Sequence, residues 1–163
     1  MRFMDMRNYF LIIFSVLFLN TVIAQCDSIS LVNKKIVEFA SSKMNKKVGT
    51  GECWDLAKFA LEFANAKWDG LYSFGRKLEK GECIMPGDII QFEKVKVKWN
   101  DGEKDYMEQF PHHTAIVYSV SSNDQVQLIH QNTGYNGKKV TTSPLNFKGI
   151  TGGKFTIYRP ESK

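Results

Sequence analysis

No Cys-x-x-Cys pair occurs in this sequence, and its three cysteines stand far apart at positions 26, 53 and 83. A structural zinc site therefore has little to build on. Uncharged apolar runs are short as well: Tyr9 to Leu19 falls below the ~20 residues that a bilayer-spanning helix needs. The lysines are scattered (Lys34, Lys35, Lys46, Lys47, Lys94, Lys96, Lys98, Lys138, Lys139) and form no basic stripe interleaved with stacking aromatics, which argues against a nucleic-acid partner. Asn-x-Ser/Thr sites, internal repeats and low-complexity tracts are missing too. Nothing points to a metal or an organic cofactor.

The N-terminus reads as a targeting segment. Arg2 and Arg7 open it, Tyr9 to Leu19 forms an apolar centre, and Val22-Ile-Ala24 closes it with compact residues. This is the pattern of a secretory signal peptide over residues 1–24, cleaved after Ala24. Acylation of Cys26 fits less well, because Gln25 makes a poor lipobox. Removal of two arginines and one aspartate lowers the net charge from +5 to +4. Residues 25–163 then suffice for a single domain with its own core, expected to be a secreted monomer without a stable membrane anchor. In an oxidising compartment an even pair of cysteines tends to be bridged and an odd one left free. A Cys26–Cys83 bridge would pin the new N-terminus to the loop before the first strand and leave Cys53 as the thiol. Three reduced cysteines are the alternative.

Cys53 lies in Gly49-Thr-Gly-Glu-Cys-Trp-Asp-Leu-Ala, where a glycine turn feeds a helical segment. The first helical turn carries the positive end of the macrodipole, which favours thiolate, so a thiol pKa below the ordinary value is expected. The pattern predicts one helix over about 30–44, capped by Asp27 or Ser28 with basic Lys43, Lys46 and Lys47 in its last turn. A second spans about 52–67, apolar most of the way round and hence buried. After Pro86-Gly-Asp88 the character changes to strands: 88–92, 95–99, 113–120, 125–130, 140–142 and 154–159, with 103–111 as a polar connection. Helices first and consecutive antiparallel strands after them make an α+β layout.

All three histidines follow Cys53. His113 opens the apolar strand His-Thr-Ala-Ile-Val-Tyr, at the rim of the sheet where a helix start can pack. A general base must come within hydrogen-bond reach of the thiol. If 113–120 and 125–130 pair antiparallel, His130 and Asn132 arrive beside His113, able to hold its ring and fix its tautomer. His112 points to the other face and is read as a bystander.

These residues resemble a family. The order of cysteine at a helix start, Pro-Gly-Asp-Ile before a strand, His-x-Ala-Ile-Val and then x-Gln-Asn is similar to the CHAP amidase/peptidase family, within the NlpC/P60-like papain-related superfamily. The resemblance covers about residues 46–159. It implies a papain-like fold, N-terminal helices packed on an antiparallel sheet or half-barrel of about five to six strands. By position it assigns Cys53 as nucleophile, His113 as base, and His130 and Asn132 as the polar pair that orients the base. CHAP domains usually carry a glutamate where this chain has His130, whereas NlpC/P60 enzymes often use a histidine there. The implied activity is cleavage of an amide bond in bacterial peptidoglycan or a peptide by acyl transfer. Trp54, Trp99 and Tyr135, with Trp68 and Tyr72, are candidates to line the substrate groove. A papain-type protease would need two lobes and a Cys-Gly-Ser-Cys-Trp signature, and an LRAT-like acyltransferase would have its histidine before its cysteine. A secreted binding module that kept the fold and lost activity, or a cysteine hydrolase of another substrate, remains the alternative.

Overall fold

Ser30 sets the first helix. Its hydroxyl accepts from the Asn33 N–H at 3.0 Å and caps α1 (Leu31–Ser42), so Ser28 is not the cap; Asp27, the other candidate, lies outside the described residues. The computed structural model describes residue 26 and residues 28–100 and 102–163; the expected signal peptide lies outside the described residues. α1 stops at Ser42, so Lys43, Lys46 and Lys47 fall beyond its last turn. α2 (Cys53–Phe63) is shorter than 52–67, because Asn65 turns into the left-handed region (φ 52°).

The expectation of a central, buried helix, apolar most of the way round, is corrected. Leu56, Ala57, Ala60 and Leu61 are buried, while Phe63 is 52 % exposed and Trp54 and Phe59 are half-buried. Only one side of α2 faces the sheet, and the Lys58 ammonium covers the rings of Trp54 (5.4 Å) and Phe59 (5.5 Å) on the outer side.

Two short strands, β1 (Ala66–Lys67) and β8 (Glu161–Ser162), pair at the end of α2. The main sheet comprises β2 (Arg76–Lys77), β3 (Ile89–Asn100), β4 (Asp105–Ser122), β5 (Gln125–His130), β6 (Thr141–Asn146) and β7 (Ile150–Arg159). Its order is β2-β7-β3-β4-β5-β6, and each neighbouring pair is antiparallel. This is the α+β arrangement, two helices on a six-stranded antiparallel sheet. Period-two alternation sorts the strands' side chains into two cores. Ile89, Ile116 and Ile129 face the helices with Ile36, Ala40, Leu56 and Leu61. Ile90, Phe92, Val117, Val126 and Leu128 pack on the other side. Neither α1 nor α2 covers that side, where a short 3-10 turn (Phe147–Gly149) packs Phe147 on the core; β3 and β6, which are not neighbours, approach each other as the sheet curls.

Two strand assignments change. Segments 88–92 and 95–99 are one strand, bent at Lys94 (φ 53°) where the register with β7 shifts. From Asp105 onward, the polar connection expected at 103–111 is instead the first part of β4, with Val97 opposite Glu108 and Val95 opposite Phe110. Its alternation is masked because Met107 lies outside and Glu108 inside.

The entry to β3 is fixed by a buried acid. Asp88 accepts from Asn33 Nδ2 (3.0 Å), the Met85 N–H (2.8 Å) and the Arg159 guanidinium (2.8 and 3.1 Å). Cys26 and Cys83 form the expected disulfide, 57 residues apart in sequence. It ties the start of the described chain to the loop before β3.

Candidate active site

The loop leading into α2 is organised around one carboxylate. Asp55, buried in the first turn, accepts at Oδ2 from the N–H and hydroxyl of Thr50 (both 2.8 Å) and from the N–H groups of Gly51 (3.1 Å) and Glu52 (3.2 Å). Gly49 makes this wrap possible. Its φ is +58°, and a Cβ there would come within 2.8 Å of the Asp55 carboxyl. From the opposite side, the buried Gln131 accepts from the Val48 N–H (3.0 Å) and donates to the carbonyls of Val48 (3.0 Å) and Glu52 (2.8 Å). The helix start is thus stapled to the end of β5, and Cys53 is set as the first residue of α2.

Cys53 is a free, half-buried thiol. Its recorded partner is the His112 carbonyl oxygen, 3.9 Å from Sγ, so the S–H donates toward the rim of β4. Burial pushes the thiol pKa up; N–H groups of Thr114, Trp54 and Cys53 oppose this, and the Glu52 carboxylate adds to it. The expectation of a lowered thiol pKa is therefore corrected: desolvation outweighs the helix-start amides.

His113 is buried in β4, opposite Phe92 in β3, with its ring stacked on Phe110 (centroids 4.6 Å apart). Its Nε2 lies 3.0 Å from Nδ1 of His130, which is fully buried at the end of β5. Nε2 of His130 lies 3.0 Å from the Ser143 hydroxyl on β6. Burial, with His130 and His112 adding, holds His113 well below its usual pKa. Burial alone lowers His130 to about 4. Both rings are thus neutral at pH 7. With Nε2 engaged by His130, Nδ1 is the ring nitrogen left to His113 for a thiol.

Asn132 does something other than hold the base. The chain leaves the strand after His130, and Asn132 adopts φ 62° and donates from Nδ2 to Glu52 Oε2 at 3.1 Å. Extrapolating the β4–β5 pairing past its last bonded position overlooked this turn. His130 is the residue hydrogen-bonded to His113. The exposed His112 accepts from Gln91 Nε2 (3.2 Å), with its ring edge-on to Tyr72.

A cleft of about 280 Å³ is lined by Cys53, Glu108, Phe110, His112, His113 and Asn132, among others. It brings thiol and base into one concavity. Trp54 does not line it: its ring neighbours Tyr72 and Lys58 on the outer face of α2. Trp99 sits in β3 opposite Tyr106, and its side chain lies outside the described residues. Tyr135, 60 % exposed, donates to the Met107 carbonyl (3.4 Å) and lines a neighbouring cavity with His130, Ser143 and Glu108. Sequence reasoning missed Asp55, Gln131, Ser143 and Glu108 as site residues. Asp55 could have been found from its place three residues after the N-cap residue Glu52 and Gln131 from its neighbours in His-Gln-Asn; nothing marks Ser143. Among the described residues no group of three or more His, Cys, Asp or Glu is placed to hold a metal ion.

Two helices on an antiparallel sheet, with a cysteine at a helix start and a strand histidine lining one cleft, define a papain-like cysteine-proteinase fold. Within that class the chain belongs to the AIM3/BBC1 Cysteine proteinase-fold domain family, whose profile matches residues 28–163. Altered inheritance of mitochondria protein 3 from Debaryomyces hansenii is 27% identical over 144 residues, covering 77% of this chain and 15% of that protein. The chain thus spans a small part of this curated relative. Among solved structures, NlpC2 from Trichomonas vaginalis matches with a TM-score of 0.50 and 21% identity, over 83% of this chain and 48% of that one. This likeness is one of fold. Ly7917 with the hydrolyzing product of MDP matches at a TM-score of 0.45 and 15% identity, over 78% of this chain and 62% of that one. The family model and the fold likeness to NlpC2 show the resemblance at the level of a papain-related fold and of the AIM3/BBC1 family.

Proposed function

We propose that this chain is an exported cysteine hydrolase that cleaves an amide bond in a peptide, with the peptide part of bacterial peptidoglycan as the substrate class. The observation that carries the proposal is the buried relay from the Cys53 cleft through His113 and His130 to Ser143. CHAP-like or NlpC-like chemistry on this relay accounts for the residue order. Export through residues 1–24 fits the Cys26–Cys83 disulfide, since such bonds persist in oxidising compartments.

The neutral state of both histidines sets the mechanism. For His113 Nδ1 to accept a proton, Nε2 carries the hydrogen and donates to His130 Nδ1; His130 then donates from Nε2 to Ser143. As the Cys53 sulfur attacks the carbonyl carbon, its proton passes to His113 Nδ1. The imidazolium so formed is held by the lone pair of neutral His130. N–H groups at the start of α2 face the developing oxyanion. The amide C–N bond breaks as His113 returns the proton to the leaving amine, leaving a thioester on Cys53. Water, deprotonated by His113, attacks the thioester and frees acid and thiol. This is general-base catalysis from a neutral pair, because the raised thiol and lowered imidazole oppose a preformed ion pair.

A second reading, a binding module without activity, is favoured by the thiol's contact with the His112 carbonyl. The test treats purified bacterial walls with the mature protein and with Cys53→Ala, then analyses released fragments. Release by the native protein alone supports the hydrolase; release by neither, across several wall types, leaves the binding module.

A further inference from the structure

Glu108 takes no part in the relay, yet it lines both the Cys53 cleft and the adjoining cavity of about 230 Å³. That cavity is bounded by Tyr106, Tyr135, Thr133, His130 and Ser143 as well. We propose that it is a subsite for a substrate ammonium group, held by the Glu108 carboxylate beside the rings of Tyr106 and Tyr135. The proposal deepens the hydrolase reading of the Cys53 cleft and rests on it.

Glu108 is an acid with no cationic partner among the described residues. Glu108 is 8 % exposed, and its hydrogen bond among the described residues is a long one from the Gly134 N–H, at 3.3 Å. Lys138, in the loop after Gly134, is paired with Glu52 at 2.9 Å. Burial raises the Glu108 carboxyl, opposed by the Gly134 N–H, and no cation among the described residues lowers it. A nearly buried carboxylate without a counter-charge is costly, and a ligand cation would offset that cost. An anion would be repelled, and a purely apolar group would leave the carboxylate desolvated. Tyr106 and Tyr135 stand edge to face with centroids 6.2 Å apart, offering the ring surface that favours an ammonium. His130, on the same wall, stays neutral and adds no repulsion. Because Glu108 is common to both cavities, an amine bound there lies next to the carbonyl presented to Cys53.

The probes are peptides released from purified bacterial wall that carry free amines, and the same peptides capped with acetic anhydride. Binding is read by calorimetry on the Cys53→Ala protein, and cleavage on the native protein. Free-amine peptides are expected to bind at least tenfold more tightly than capped ones. Glu108→Gln collapses that preference, while Glu108→Asp retains most of it; thermal melts of both variants check folding. Equal binding of the two peptides, no binding of either, or a preference that survives Glu108→Gln overturns the subsite. Amine-selective binding without cleavage by the native protein leaves the subsite standing and removes the hydrolase reading.

Discussion

Acidification from pH 6.5 to pH 5 isolates the stability that the buried histidine pair takes from remaining neutral. His130 is lowered from 6.5 to about 4 by burial, and His113 shifts in the same direction. The unfolded chain binds protons at the ordinary 6.5, whereas the native state refuses them until much lower pH. Stability from His130 is therefore complete above about 6.5 and lost as pH falls toward 4. At about 1.4 kcal/mol per pH unit, His130 alone removes ~2 kcal/mol between pH 6.5 and 5, and ~3 kcal/mol by pH 4. Against a typical total of roughly 5–15 kcal/mol this is a large fraction. Most carboxylates do not titrate in the upper window, and Glu108, whose carboxyl is raised, acts with the opposite sign. Urea unfolding followed by tryptophan fluorescence at pH 7.5, 6.5, 5.5 and 5 reads the slope. His130→Gln keeps a hydrogen-bonding side chain but cannot titrate, so it should be less stable at pH 7.5 and clearly flatter with pH. A native protein equally stable at pH 6.5 and 5, or a His130→Gln slope equal to the native one, would refute the reasoning.

Alkylation of Cys53 by iodoacetamide should keep accelerating above pH 9, because burial holds the thiol above its ordinary value; a plateau below pH 8 would contradict this. Gly49→Ala must place a Cβ against the Asp55 carboxyl at positive φ. Its cost of about 1–3 kcal/mol is read as a lowered melting temperature, with reduced alkylation at Cys53, and an unchanged melt counts against the anchor. Reduction of the Cys26–Cys83 disulfide, 57 residues apart, should cost about 4 kcal/mol by loop entropy, seen as a lower urea midpoint; an equal midpoint with and without reductant removes its structural role.

Much of the site was legible because it follows from short-range rules. The glycine turn before Cys53 announced a helix start, and the hairpin joining β4 to β5 brought His130 to His113. What escaped depends on tertiary approach. Asn132 leaves the strand through a left-handed turn and meets Glu52, which period-two counting does not anticipate. Ser143 lies on an edge strand, next to Pro144, whose missing N–H is tolerated on the sheet's outer side. The first part of β4 was hidden by its inverted alternation, exposed Met107 beside buried Glu108. The thiol's raised pKa escaped for a related reason: the dipole at the start of α2 is a local feature, whereas the burial that outweighs it is built by β4 packing across the cleft.

The central claim, that Cys53 is a nucleophile served by His113, is tested most directly by trapping the acyl-enzyme. Wall peptides are mixed with the native protein, quenched in acid within the first turnovers, and the protein is weighed by mass spectrometry. The account predicts an added acyl mass on the Cys53 peptide, removed by neutral hydroxylamine, absent in Cys53→Ala and much reduced in His113→Ala. Peptide cleavage by Cys53→Ala at the native rate, or an adduct on any other residue, would contradict it.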